Sequence, residues 1–268
     1  MDRKQTSLSD RMRRVAWVGH RLALVNLICF LIFLPLMTWF YLVLNTYLHA
    51  GLQGGMVDVL PGLSYYAGLL LRLPPVFFYV LFGGSAVLFG PFLFGLHAVT
   101  GAMVQGEHVW VSDLFLQARS NMKQGVFVGL FCVIVTHLLL WNIFGGIYSY
   151  VPWISVMIYV SRWISVGLLA FLLMGLPYFC QIGVSISQPI WALVKNAAIL
   201  TRAHLGRGLF LLFGVVLFWW GLLSVFPVLG LLSLPLFAIG FTALMQSVAY
   251  RPLIERYVLQ PARERLDS

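Results

Sequence analysis

Between Val126 and Phe144 the chain runs for nineteen residues without a charged side chain, and stretches of similar length and character recur along it. A helix needs about 20 mostly apolar residues to cross the hydrocarbon core of a bilayer. Six stretches satisfy this reading: Leu22–Leu48, Val76–Val99, Val126–Phe144, a fourth that ends near Gln181, Leu209–Phe226 and Leu229–Tyr250. Only 9% of the 268 residues are charged and 61% are hydrophobic, whereas soluble domains carry roughly 25% charged residues. Lipid is therefore the solvent for most of this chain. The expected fold is all-α: a polytopic membrane protein with a basic arm (1–21), one six-span membrane domain (22–250) and a short tail (251–268).

The basic residues set the expected orientation. Arg3, Lys4, Arg11, Arg13, Arg14 and Arg21 precede the first span. Arg119 and Lys123 follow the second; Lys195, Arg202 and Arg207 follow the fourth; Arg251, Arg256, Arg263 and Arg265 follow the sixth. Only Arg72 falls in a link on the other side. The positive-inside rule then places both termini in the cytoplasm, and five or seven spans would destroy the asymmetry. The net charge of +9 is explained by these flanking clusters, so nucleic acid is not an expected partner. The first apolar run is too long for a cleaved signal peptide and reads as a retained span. Cys29, Cys132 and Cys180 lie inside apolar runs without a CxxC pair, as buried small hydrophobes would. "PVLG" (Pro227–Gly230) is so short a link that the last two spans should form a tight hairpin.

Two polar segments interrupt the apolar pattern on the basic side. In "GEHVWVSDLFLQARSNMKQG" (Gly106–Gly125), Val111, Leu114, Phe115, Ala118 and Met122 share one helical face. Ser112 is placed to cap this helix, and Asp113 suits the positive end of its dipole. In "SQPIWALVKNAAILTRAHLGRG" (Ser187–Gly208), Ile190, Leu193, Val194, Ala197 and Thr201 repeat that spacing 79 positions later. Here Ser187 is the candidate cap and Pro189 suits a first turn. Both segments are too polar to span and read as cytoplasmic amphipathic helices lying in the membrane interface. Their candidate contacts with a partner protein or lipid phosphate are Phe115, Arg119, Asn121, Lys123, Lys195, Asn196 and Arg202. Pro91 and Pro177 sit near the ends of the spans before these helices but do not align at the same offset.

The stretch "GPFLFGLHAVTGAMVQGEHVWVSDLFLQARSNMKQG" (Gly90–Gly125) resembles the YesL-like family of bacterial integral membrane proteins. The likeness rests on a Gly-Pro that ends an apolar span, on "WVSDLF", and on Asn121, Lys123 and Gln124 before the next span. "LVKNAAILTRAHLGRGL" (Leu193–Leu209) is similar to that family's second cytoplasmic segment. The resemblance implies residence in the bacterial cell membrane and an accessory or regulatory role in carbohydrate uptake, with ABC permease subunits and membrane lipids as partners. It carries over no active-site residue. The permease coupling pattern, a glycine four residues after paired alanines and then a distant Leu-Pro, is not met after Ala197–Ala198.

Inside the spans the polar residues are few. Arg162 lies roughly 15 Å deep if the fourth span starts near Val151. If that span starts at Trp163, the same residue sits in an outer aromatic belt with Trp153, Tyr159 and Trp163. His97, His137 and Asn142 complete a candidate intramembrane polar site, which would suit a stand-alone facilitator or channel for small solutes. Asn26, Asn45 and Asn142 are candidates to line such a path, but residues of this kind more often hydrogen-bond between helices. The eight acidic residues all lie outside the spans, which argues against proton- or sodium-coupled transport. No metal, cofactor or catalytic residue is expected: there is no HExxH, GxSxG, Walker loop or GxGxxG after a strand.

Overall fold

A computed structural model of the chain describes residues 19–38, 75–144, 152–186, 188–225, 233 and 237–260. Among these residues every element is helical and none is a strand. We number the helices α1 (Gly19–Thr38), α2 (Pro75–Val104), α3 (Val111–Ser120), α4 (Met122–Phe144), α5 (Pro152–Ser185), α6 (Ile190–Ala203), α7 (Leu205–Val225) and α8 (Ile239–Ile254), the last continuing into a π-helical turn, Glu255–Leu259. Helices α1, α2, α4, α5 and α7 are long and apolar enough to cross a membrane. The described residues thus have the all-helical build of a membrane protein. The described part of α8 has 16 residues. The preceding stretch of the expected sixth span, the Pro227–Gly230 link, Asn45 and Ser187 all lie outside the described residues.

Helix α2 is the axis of the bundle. In its apolar stretch 61% of the residues are buried, against 22% in α4 and 6% in α5 and α7. One core layer joins α2 to α1, α3 and α8 through Val25, Cys29, Phe33, Leu96, Val99, Leu114 and Ala243. A second joins it to α4, α5, α6 and α8 through Phe94, Cys132, Tyr178, Ile182, Leu193 and Ile254. The three cysteines are buried and unbonded to one another, as their apolar settings imply.

Glycine makes the closest helix crossing possible. A Cβ on Gly90 of α2 would overlap the Gly125 carbonyl of α4, and one on Gly129 would stand 2.7 Å from the Gly90 nitrogen. Gly125 and Gly129 are spaced as a small-xxx-small pair, which lets helix backbones meet in lipid. The Gly90–Pro91 step therefore does not end its span: α2 runs on to Val104 with Pro91 inside it. The missing proline N–H lies where α4 presses hardest. Helix α2 ends instead at Gly106, at φ 77°. There the Gly106 N–H meets the Met103 carbonyl at 3.1 Å and the Glu107 N–H meets the Ala102 carbonyl at 3.0 Å. This is the left-handed glycine stop that leaves few carbonyls bare.

Candidate functional site

The two polar segments do form short helices, and they begin 79 positions apart, at Val111 and Ile190. Each is seated on the span before it by a glycine. A Cβ on Gly95 of α2 would stand 3.2 Å from Leu114 Cδ1, and one on Gly183 of α5 would stand 3.5 Å from Leu193 Cδ1. Equivalent residues serve equivalent ends: Leu114 and Leu193 are fully buried, as are Ala118 and Ala197. The predicted stripes are wider than the seats. Phe115 and Val194 stay 47% and 41% exposed, while Leu200, outside the predicted stripe, is buried. Met122 opens α4 instead of closing α3. Ser112 is not the cap of α3. The Asp113 carboxylate reaches back to the Trp110 N–H at 2.7 Å, and Val109 and Leu114 share the core beneath, a staple around the helix start.

Of the seven candidate contact residues, four point outward and three are engaged locally. Arg119, Lys123, Lys195 and Arg202 are exposed. Phe115 sets its ring edge-to-face with Phe92, centroids 5.5 Å apart. The Asn121 amide donates to the Gln117 carbonyl at 3.0 Å, so it finishes α3 at the joint with α4. The Asn196 amide donates to Gln188 Oε1 at 3.1 Å, and Gln124 Nε2 donates to the Gln188 carbonyl at 3.1 Å. Those two bonds tie the start of α6 to the start of α4. Arg21 of α1 lies 4.2 Å over the Trp110 ring, drawing the first helix to the same end of the bundle.

The four intramembrane candidates do not form one site. Gly90 faces Gly125 and Gly129, so α2 and α4 run antiparallel there. His97 lies seven residues toward the α3–α6 end and Asn142 at least thirteen toward the other. At 1.5 Å per residue they are roughly 30 Å apart along the bundle. Asn142 donates to Ser165 Oγ at 2.8 Å and to the Ser161 carbonyl at 3.2 Å, linking α4 to α5 beside Arg162. His97 is buried in α2, and its Nδ1 has no partner among the described residues.

One turn from His97 lies a polar seam that no sequence spacing announces. Thr100 of α2, Ser247 of α8 and Gln181 of α5 are all buried. The Thr100 hydroxyl is committed to the Leu96 carbonyl at 2.9 Å. Ser247 therefore donates to Thr100 Oγ1 at 2.9 Å and accepts from Gln181 Nε2 at 3.2 Å. Among the described residues Gln181 Oε1 and the Tyr178 hydroxyl have no partner. One turn closer to the α3–α6 end, Arg251, Ser185 and Gln105 line a cavity of 510 Å³ together with Glu107 and Gln117. The Arg251 Nε contacts Glu255 Oε1 at 3.3 Å, and Gln105 Nε2 donates to the same oxygen at 3.1 Å. Three helices distant in sequence thus meet in a neutral hydrogen-bonded chain beneath a polar vestibule. Hydrogen bonds between helices in lipid average about 0.6 kcal/mol and reach about 1.7. A double-mutant cycle of Thr100→Val and Ser247→Ala, read by unfolding in micelles, is expected to give a coupling in that range. A coupling of zero would show that the seam does not hold the helices together.

Among the described residues, no three His, Cys, Asp or Glu side chains gather closely enough to hold a metal ion. No family model matches the chain, and neither a curated protein nor a solved structure does.

Proposed function

We propose that this chain is a six-span protein of the bacterial cell membrane with both termini in the cytoplasm. In this reading it catalyses no reaction and serves as an accessory or regulatory component of an ABC-type carbohydrate uptake system. The observation that carries the reading is the pair of short helices at one end of the bundle. Each spends one narrow face on the bundle and presents the rest outward. Trp110, Leu116, Trp191 and Ile199 are 53%, 62%, 79% and 54% exposed, and they alternate with the exposed Arg119, Lys195 and Arg202. Large apolar groups interleaved with cations suit either the headgroup layer or the cytoplasmic surface of a partner permease. The basic residues outside the spans favour the cytoplasmic side for this end. The link to carbohydrate uptake rests on the resemblance of Gly90–Gly125 and Leu193–Leu209 to the YesL-like family. The facilitator reading is weaker, because His97 and Asn142 with Arg162 lie at opposite ends of the described bundle and form no common site.

The test is isolation from the native membrane in mild detergent, with co-purifying proteins identified by mass spectrometry. ABC permease subunits or a sugar-binding protein are expected to accompany the chain. They should be lost when Leu116→Asp and Ile199→Asp charge both outward faces. A chain that arrives alone before and after the substitutions would remove the accessory reading.

A further inference from the structure

An apolar groove of 200 Å³ runs between α4, α5 and α6, and its lining carries no polar surface. Its walls include Phe127, Phe131, Phe171, Phe179 and Trp191, and its floor is kept low by Gly175 and Ala197. A cavity of this chemistry offers water no partners. At this volume it is smaller than most sites for compact organic ligands, but it suits a length of flexible hydrocarbon.

Two of the helices that wall the groove also carry exposed cations in register with its lining. Lys123, Phe127 and Phe131 stand at i, i+4 and i+8 on α4, so the ammonium continues the stripe that forms one wall. On α6, Lys195 stands four residues after Trp191 and three before Ala198, both of which line the groove. The Gln124–Gln188–Asn196 bonds hold these two helix segments together, with each lysine next to one member of that trio. No carboxylate occurs anywhere on α4, α5 or α6. The chain holds only three lysines, and two of them stand on helices that wall the groove. A lysine ammonium is a compact charge on a flexible apolar stem, suited to reach along hydrocarbon to a phosphate.

We propose that this groove and its two lysines form a binding site for an anionic phospholipid, with an acyl chain against the phenylalanines and the phosphate between Lys123 and Lys195. The site shares Trp191 and Lys195 with the outward face of α6, but its walls on α4 and α5 belong to neither short helix. The phosphate could also be recognised free of any lipid, and the experiment separates the two.

The purified full chain would be exchanged into nanodiscs of phosphatidylcholine with a minor fraction of phosphatidylglycerol. Lipid retained after gentle detergent release would then be measured by native mass spectrometry. The expected result is a preference for phosphatidylglycerol of about ten- to thirty-fold, from roughly one phosphate contact per lysine. Lys123→Gln with Lys195→Gln should abolish it, and Ala198→Phe, which fills the groove, should reduce it with both lysines in place. The control Arg119→Gln with Arg202→Gln removes two charges at the same end but off the groove, and should keep the preference. Equal loss in that control would mean diffuse surface attraction and would overturn the site. Displacement by inorganic phosphate with no effect of Ala198→Phe would mean a phosphate-only contact and would overturn the lipid assignment. Absence of any preference in the unmodified chain would do the same.

Discussion

Gly125→Val is expected to destabilise the bundle by about 3 kcal/mol or more, the upper end of what overpacking costs in well-packed interiors. A Cβ at Gly125 would stand 2.5 Å from the Pro91 nitrogen and 2.6 Å from its Cα. These are backbone atoms that cannot rotate aside. Carbon atoms rest at about 3.5–4.0 Å, so the two helices must part by roughly 1 Å along their whole shared length. That opens the contact of α2 with α4, on which the second core layer depends. Gly167→Ala in α5 is the control, since nothing stands within 4 Å of a Cβ there. It should be neutral or slightly stabilising, because alanine favours helix by about 1 kcal/mol over glycine. Thermal unfolding in detergent, followed by the monodisperse fraction, reads both. Equal behaviour of the two variants would refute the close crossing.

Asn26→Leu should rank next. Asn26 is fully buried in α1, and its Oδ1 accepts the Gly240 N–H at 2.5 Å at the start of α8. The Cβ of Asn26 lies only 3.3 Å from where a Gly240 Cβ would be. Leucine removes the acceptor and branches into that space. A backbone N–H left bare in hydrocarbon costs several kcal/mol, so a loss of about 3 kcal/mol is expected. Asn142→Leu, at the half-buried periphery, should cost less than about 1 kcal/mol. If the two variants unfold alike, Asn26 is not what pins α8 to α1.

The helices themselves were legible because hydrocarbon leaves the backbone few choices. The short helices were legible because a stripe repeated at offset 79 put Leu114 with Leu193 and Ala118 with Ala197. Their packed width was not, since a helix resting on a bundle buries a narrower face than an apolar stripe suggests. Ser112 looked like a cap by residue type, but Asp113 reaches the helix start from one residue further on. Gly90–Pro91 looked like an ending because proline commonly ends helices; the glycines of α4 turn it into a crossing. The seam was hidden for another reason. Thr100, Gln181 and Ser247 come from helices separated by 66 and 147 positions, and each alone resembles an ordinary polar residue in a span. Of the four polar residues that the sequence did single out, His97, His137, Asn142 and Arg162, His97 lies too far from Asn142 and Arg162 to act with them.

Helix α5 is 34 residues long, about 51 Å at the α-helical rise, while the hydrocarbon of a bilayer is about 30 Å thick. From Ser185, where the chain turns toward α6, back to Arg162 is roughly 35 Å by the same measure. If α6 lies along one headgroup layer, as proposed, Arg162 reaches the other and the turns around Trp153 and Tyr159 stand beyond it. Each end then resists being drawn inward: a guanidinium on one side, the lysine and arginine of α6 on the other. The pair works as a caliper. A thinner bilayer would have to swell around the protein or let α5 lean over, and a thicker one would press charge into oil. On that placement the chain would be matched to membranes of one thickness, and bilayers of varied acyl length would reveal which.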